Sequence, residues 1–292
     1  MSEQSRSKHP RSGYSRLKEA KAARKRGESK AERAQRFAPK ARASAEQPEV
    51  PYHIHGLHAV RAALGNPRRQ VHTLLATPNA LQKLEASIPP KLKVETVHPN
   101  ALDELLGADA VHQGVAALIA PLQPVPLTAP FPRFSLILDQ VTDPHNVGAI
   151  LRSAAAFNVD ALITTTRHAA RETATLAKAA SGAFDIVPII TVRNLADALE
   201  SLRAANTMVV GLDSVAETEL AQAMTQRSTS PAQPVALVMG SEGKGLRSKT
   251  RETCDAIARL PVASNELVSL NVSNAAVLAL YIAREHLDAD PQ

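Results

Sequence analysis

From Ser135 to His286 the chain alternates unbroken apolar runs with helical patterns, and that alternation is its strongest constraint. Leu136-Ile137-Leu138 and Ala236-Leu237-Val238-Met239 are apolar at every position. A strand made of either must be covered on both faces, which is the situation in a parallel sheet with crossover helices. The expected order is a strand at 135–139, a helix at 146–157, a strand at 160–165, a helix at 173–180 and a strand at 186–192. A helix at 195–205, a strand at 208–212, a helix at 217–224, strands at 235–239 and 256–261 and a long helix at 271–286 follow. A polar loop at 226–234 interrupts the series, and no internal repeat is present.

Upstream the pattern is shorter. His55-Gly56-Leu57-His58-Ala59-Val60 leads into a helix that Gly65-Asn66-Pro67 ends. Strands are expected at 71–76, 92–97 and 115–120, with helices at 80–88 and 101–106. This is a small α/β domain at 51–121, joined by a proline-rich linker at 122–133 to a larger α/β domain at 134–288. Residues 1–48 have few apolar side chains and no stripe to dock, so they are expected to be disordered when free. The first 47 residues hold 14 Lys plus Arg against 5 Asp plus Glu, and the remainder 20 against 23. A basic tail on a near-neutral body suits a polyanionic partner. A solvated tail that aids solubility explains it equally well.

Some classes are excluded. Cys254 is the one cysteine, so neither a disulfide within the chain nor a cysteine-based zinc site can form, and a reducing cytosol fits. No apolar run approaches the roughly 20 residues of a membrane span. The N-terminus lacks the apolar core of a secretory signal, and Glu19, Glu28 and Glu32 argue against an organellar transit peptide. His53, His55 and His58 cluster without further ligands at metal spacing, so no metal is expected and capping or surface roles are.

Three polar clusters follow strands of the larger domain. In Asp139-Gln140-Val141-Thr142-Asp143-Pro144-His145-Asn146, a strand ends and Asn146 is placed to cap the next helix. Arg152 comes six residues later and is read as sharing the loop side of that helix. In Gly240-Ser241-Glu242-Gly243-Lys244-Gly245, a strand enters a Gly-rich loop that lacks the phosphate-loop spacing. In Arg259-Leu260-Pro261-Val262, then Ser269-Leu270-Asn271-Val272-Ser273-Asn274, a strand stops, a polar loop follows and a helix begins. A capped helix, a tight turn or a surface charge accounts for each cluster alone. Lys244 and Arg247 are read as phosphate contacts or as ordinary exposed charges.

As a set, in this order, the clusters resemble the three motifs of the SpoU/TrmH family within the SPOUT superfamily. The resemblance covers 135–285, and the small domain is similar to that of the 23S rRNA guanosine-2′-O-methyltransferase branch. It implies a parallel-sheet domain with a deep trefoil knot, a homodimer, and S-adenosylmethionine as methyl donor to an RNA ribose 2′-hydroxyl in the cytoplasm. It implies that Gly240, Leu260 and Leu270 hold the cofactor, and that Asn146, Arg152, Glu242, Ser269 and Asn271 are catalytic. Arg152 is placed as an orienting cation rather than a base, because a guanidinium is very hard to deprotonate. One departure is the glycine-free loop 262–268, one residue longer than the family pattern. Ribosomal RNA is the expected substrate. The alternatives are a tRNA 2′-O-methyltransferase of the same family and a non-catalytic RNA-binding ribosome-assembly protein.

Overall fold

The computed structural model describes residues 50–170, 172–228, 232–262 and 270–289. The tail expected at 1–48 lies outside them, as does Ser269 with most of the loop before it. The described residues form one compact unit holding two sheets.

The first sheet contains β1 (Tyr52–His55), β2 (Val71–Ala76), β3 (Lys93–Thr96) and β4 (Val115–Ile119), in the order β1-β4-β2-β3. β2 and β3 run parallel, whereas β4 is antiparallel to both its neighbours. Helices α1 (Leu57–Gly65), α2 (Pro78–Leu84) and α3 (Pro99–Leu106) connect them. Both α2 and α3 start with proline, whose missing N–H and fixed φ suit the first helical position. β1 is absent from the expected strands. It buries only Ile54, so its sequence carries no strand pattern, and pairing with β4 creates it. Val60, Leu74, Leu84, Val115 and Ile119 form the core here, joined by Ala177 from the larger part of the chain.

The second sheet has β5 (Phe134–Asp139), β6 (Ala161–Thr165), β7 (Ile189–Val192), β8 (Met208–Leu212), β9 (Val235–Gly240) and β10 (Ala256–Ala258). Their order is β10-β8-β9-β5-β6-β7, and every pairing is parallel. The helices are α4 (Pro144–Ala156), α5 (Ala174–Ala180), α6 (Leu195–Ala204), α7 (Leu220–Met224), α8 (Ser248–Thr253) and α9 (Val272–Asp288). Helices α4, α5, α7 and α9 bury one face of the sheet, and α6 the other. This two-sided cover is why β5 is buried at every position. Leu136 and Leu138 face one layer and Ile137 the other, each such side chain contributing about 1.5–3 kcal/mol.

Differences from expectation have local causes. The strand expected at 186–192 begins only at Ile189, because a 3-10 turn at Ala183–Asp185 leaves Ile186 62% exposed. β10 ends at Ala258, after which Arg259 peels away to bridge Glu219. α8 reads Ser-Lys-Thr-Arg-Glu-Thr and has no apolar stripe, so nothing in its pattern announces a helix. In the linker, Val125 lies along the outer edge of β7: its N–H donates to Ile189 O at 2.9 Å, and its O accepts from Thr191 N at 3.0 Å.

Candidate functional site

From β5 the chain builds outward through β6 to β7, whereas β9 and β8 lie on the other side of β5. Beyond the carboxyl ends of β5 and β9, where that direction reverses, an open parallel sheet offers its crevice. Asp139 and Gly240 are register partners there, so the first two polar clusters leave the sheet at the same level.

Asp139 is fully buried and receives Arg247 N at 3.1 Å on Oδ2. Arg247 Nε lies 2.7 Å from Oδ1 as an ion pair, but off the direction of a hydrogen bond, which leaves Oδ1 without one. Arg247 therefore ties the Gly-rich loop to β5 and is no free phosphate contact, while Lys244 stays exposed. Within that loop Gly243 and Gly245 have φ of +77° and +63°. Gly240 has a different reason to be glycine: a methyl group there would come within 2.1 Å of the Gly245 carbonyl carbon. The loop doubles back, with Gly245 N donating to Ser241 O at 2.9 Å, and its turn sets Glu242 at the crevice.

Asn146 is not the helix cap. Asp143 caps α4 by accepting from Asn146 N at 2.9 Å, and Pro144 takes the first helical position. The Asp-Pro pair is the sequence signal for this start. Asn146 then stands in the first turn with its side chain released from capping. Asn271 caps α9, its Oδ1 accepting from Ser273 N at 2.8 Å and from Ser273 Oγ at 2.6 Å.

These groups meet on one carboxylate. Glu242 Oε1 accepts from Asn271 Nδ2 at 2.8 Å, Val272 N at 3.2 Å and Asn146 Nδ2 at 3.3 Å. Asn271 Nδ2 also donates to Asn146 Oδ1 at 3.0 Å. Glu242 thus sits at the N-terminus of α9, where the helix dipole favours an anion. One residue from each polar cluster takes part, across 125 positions of sequence. Arg152 does not join them. It is exposed, stands roughly 120° round α4 from Asn146 and makes no hydrogen bond or ion pair among the described residues.

Of the three residues expected to hold the cofactor, Gly240 ends β9, Leu260 follows β10 and Leu270 precedes α9. Leu260 is half-buried, and its N–H has no acceptor among the described residues. Val262 and Leu270 are 43% and 41% exposed, large apolar side chains left uncovered beside polar backbone. Apolar faces beside unpaired backbone polar groups fit a nucleoside such as that of S-adenosylmethionine. A cavity of about 600 Å³ lies at the other end of the sheet, lined by Arg133, Asp160, Arg227 and Arg284, and holds none of the motif residues. Among the described residues no group of His, Cys, Asp and Glu could hold a metal ion, and no helix is long and apolar enough to cross a membrane.

A parallel sheet with three polar loops converging at its switch point defines the class. Residues 133–281 match the SpoU rRNA Methylase family, to which this chain belongs, and residues 53–125 match the RNA 2′-O ribose methyltransferase substrate binding family. The 23S rRNA (guanosine-2′-O-)-methyltransferase RlmB of Pseudomonas putida is 37% identical over 243 residues, 79% of this chain and 94% of that protein. The protein of the same name from Bordetella pertussis is 41% identical over 193 residues, 63% of this chain and 76% of that protein. Among solved structures, the SpoU methyltransferase AviRb from Streptomyces viridochromogenes in complex with AdoMet superposes with a TM-score of 0.64 at 25% identity. The match covers 82% of this chain and 92% of that one.

Proposed function

We propose that this chain methylates the 2′-hydroxyl of a guanosine ribose in 23S rRNA, using S-adenosylmethionine. The observation that carries the reading is the meeting of Asn146, Glu242 and Asn271 at the switch point of a SpoU sheet. Relatives of that named activity match over nearly their whole length. When bound, the cofactor supplies an electrophilic methyl group, so the protein's task is alignment and charge. Leu260 and Leu270 offer backbone and apolar contacts to the nucleoside, and Gly240 lets the Gly-rich loop fold back on itself beside them. Glu242 locks Asn146 and Asn271 at fixed spacing, which presents their remaining polar edges to the RNA. Arg152 orients the hydroxyl or an adjacent phosphate and stabilises the negative charge that grows on O2′ as its proton leaves to solvent. Ser269, by family resemblance, completes the catalytic set.

The rest of the reading is architectural. The segment 51–121 acts as the RNA-binding domain, 122–133 as a linker and 134–288 as the methyltransferase domain, with the family's trefoil knot in its C-terminal stretch. The basic segment 1–48 adds affinity for RNA. The enzyme works as a cytoplasmic homodimer. Val277 and Tyr281, four residues apart on α9 and 42% and 48% exposed, support a face that a second copy covers. Dimerisation would also bring a partner group to the uncommitted Arg152. The test is methyl transfer from labelled S-adenosylmethionine to ribosomal and transfer RNA, with 2′-O-methyl sites mapped. Guanosine methylation in 23S rRNA is expected. Modification of tRNA alone would move the assignment to the tRNA branch, and cofactor binding without transfer to either RNA would favour an assembly protein.

A further inference from the structure

A second set of charged groups is buried outside the crevice, where the first sheet meets α5. The side chains of Arg69, Glu172 and Asp185 are 1%, 5% and 3% exposed. Arg69 Nε donates to Asp185 Oδ1 at 2.7 Å and Nη2 to Oδ2 at 3.1 Å, a two-pronged contact. Nη2 also lies 2.8 Å from Glu172 Oε1, and Nη1 donates to Ala120 O at 2.9 Å. Asn66 Nδ2 gives Asp185 Oδ1 a second donor at 2.9 Å. The Tyr52 hydroxyl donates to Glu172 Oε1, and Leu122 N to Oε2 at 2.7 Å. Every oxygen of both carboxylates therefore has a donor. Two negative charges face one positive, and the neutral donors take up the excess. Burial opposes the Arg69 charge, but its bonds to Asp185 and Glu172 prevail and hold its pKa above the ordinary value.

Such a network adds little net stability, since apolar side chains of the same shape would serve as well. What it does supply is geometry, because a planar guanidinium in a two-pronged contact accepts one arrangement. Tyr52, Asn66, Arg69 and Ala120 belong to the first sheet and its connections, whereas Glu172 and Asp185 flank α5. The same seam is tightly packed. A methyl group at Gly182, just after α5, would lie 3.0 Å from Ala59 Cα on α1. Helix α5 presses in turn on α4, where a methyl group at Gly148 would meet Ala179 Cβ at 2.4 Å. Helix α4 carries Asn146 and Arg152.

We propose that Arg69 is a positioning residue: through Asp185 and Glu172 it holds the first sheet at one angle to α4, so that RNA gripped by that sheet presents its ribose to Asn146 and Arg152. The proposal rests on the methyltransferase reading above. It is tested on the full chain with a 23S rRNA fragment as probe. Arg69→Met should lower turnover about 10- to 100-fold, as misplacement of a reacting group does. Its RNA affinity should stay within about threefold of the parent's, because the buried Arg69 side chain offers no charge to a phosphate. Calorimetry should still count one S-adenosylmethionine site per chain at unchanged affinity. Partial unfolding would lower that site count in step with turnover, and that result, like unchanged turnover, would overturn the proposal. Hydrogen exchange on the unaltered chain needs no variant to fold. Peptides spanning 59–66 and 174–185 should exchange as one slow group with β5 and β9, and fast exchange along the seam alone would refute a fixed angle. A parent that fails to methylate the RNA removes the methyltransferase reading and this proposal together. A methylating parent matched by Arg69→Met removes this proposal alone.

Discussion

At the scale of single residues, some polar groups of the crevice are committed to each other, whereas Arg152 is not. Glu242 Oε1 already holds three donors, so Asn146 and Asn271 have little freedom left. Arg152 makes no hydrogen bond or ion pair among the described residues. Arg152→Ala should therefore reduce methyl transfer by about 100-fold or more, the usual cost of losing a group that stabilises developing charge. Calorimetric affinity for S-adenosylmethionine should be unchanged, and normal turnover would end its catalytic assignment. Cys254 offers a check on burial. Its thiol is pushed from 9.0 up to about 12, first by burial and then by the nearby Asp255 carboxylate. Thiolate at pH 8 should thus be about a thousandfold scarcer than in an ordinary thiol. Iodoacetamide should label the folded chain that much more slowly, and rapid labelling would contradict the packing. Asn146, Glu242 and Asn271 are legible in the sequence as polar residues of three separate clusters, each following a strand. Their union on one carboxylate is not, because no local spacing links residues this far apart. Asn146 reads as a cap only if the Asp-Pro pair just before it, the stronger signal for a helix start, is given no weight.

At the scale of elements, legibility follows apolar pattern. β5 and β9 can be read directly, since strands buried on both faces carry continuous apolar runs, here Leu136-Ile137-Leu138 and Ala236-Leu237-Val238-Met239. β1 and α8 cannot, because both owe their conformation to partners rather than to their own side chains. The close approach of α4 to α5 belongs to this scale too. A methyl group at Gly148 would sit 2.4 Å from Ala179 Cβ and 3.1 Å from the Ala179 carbonyl carbon, backbone that cannot swing aside. Gly148→Ala should force the helices apart and cost about 1–3 kcal/mol, as overpacking commonly does. Denaturant melts of the two proteins would measure it. An unchanged midpoint would mean that α5 can shift freely, which would also weaken the positioning role of Arg69.

At the scale of the whole molecule, charge and topology set the remaining expectations. The 14 basic residues of the first 47 should pair with phosphates, so deleting 1–47 should weaken RNA binding. For every phosphate left unneutralised, the slope of log affinity against log salt should also become shallower by about 0.7–0.9. Binding curves at several salt concentrations would show it, and an unaltered slope would reduce the tail to an aid to solubility. The two sheets are legible as separate patterns, but the charges that join them are not, since Asp185 lies 116 positions from Arg69. The linker has a consequence of its own. β7 is the outermost strand on its side of the sheet, the place where a second chain could add a strand and seed aggregation. Val125 occupies the edge at Ile190, and Pro124 and Pro126, having no N–H to offer, stop the ladder after one residue. The segment that tethers the two sheets therefore also guards the sheet's open margin, and a protease cut there would free a sticky edge as well as a domain.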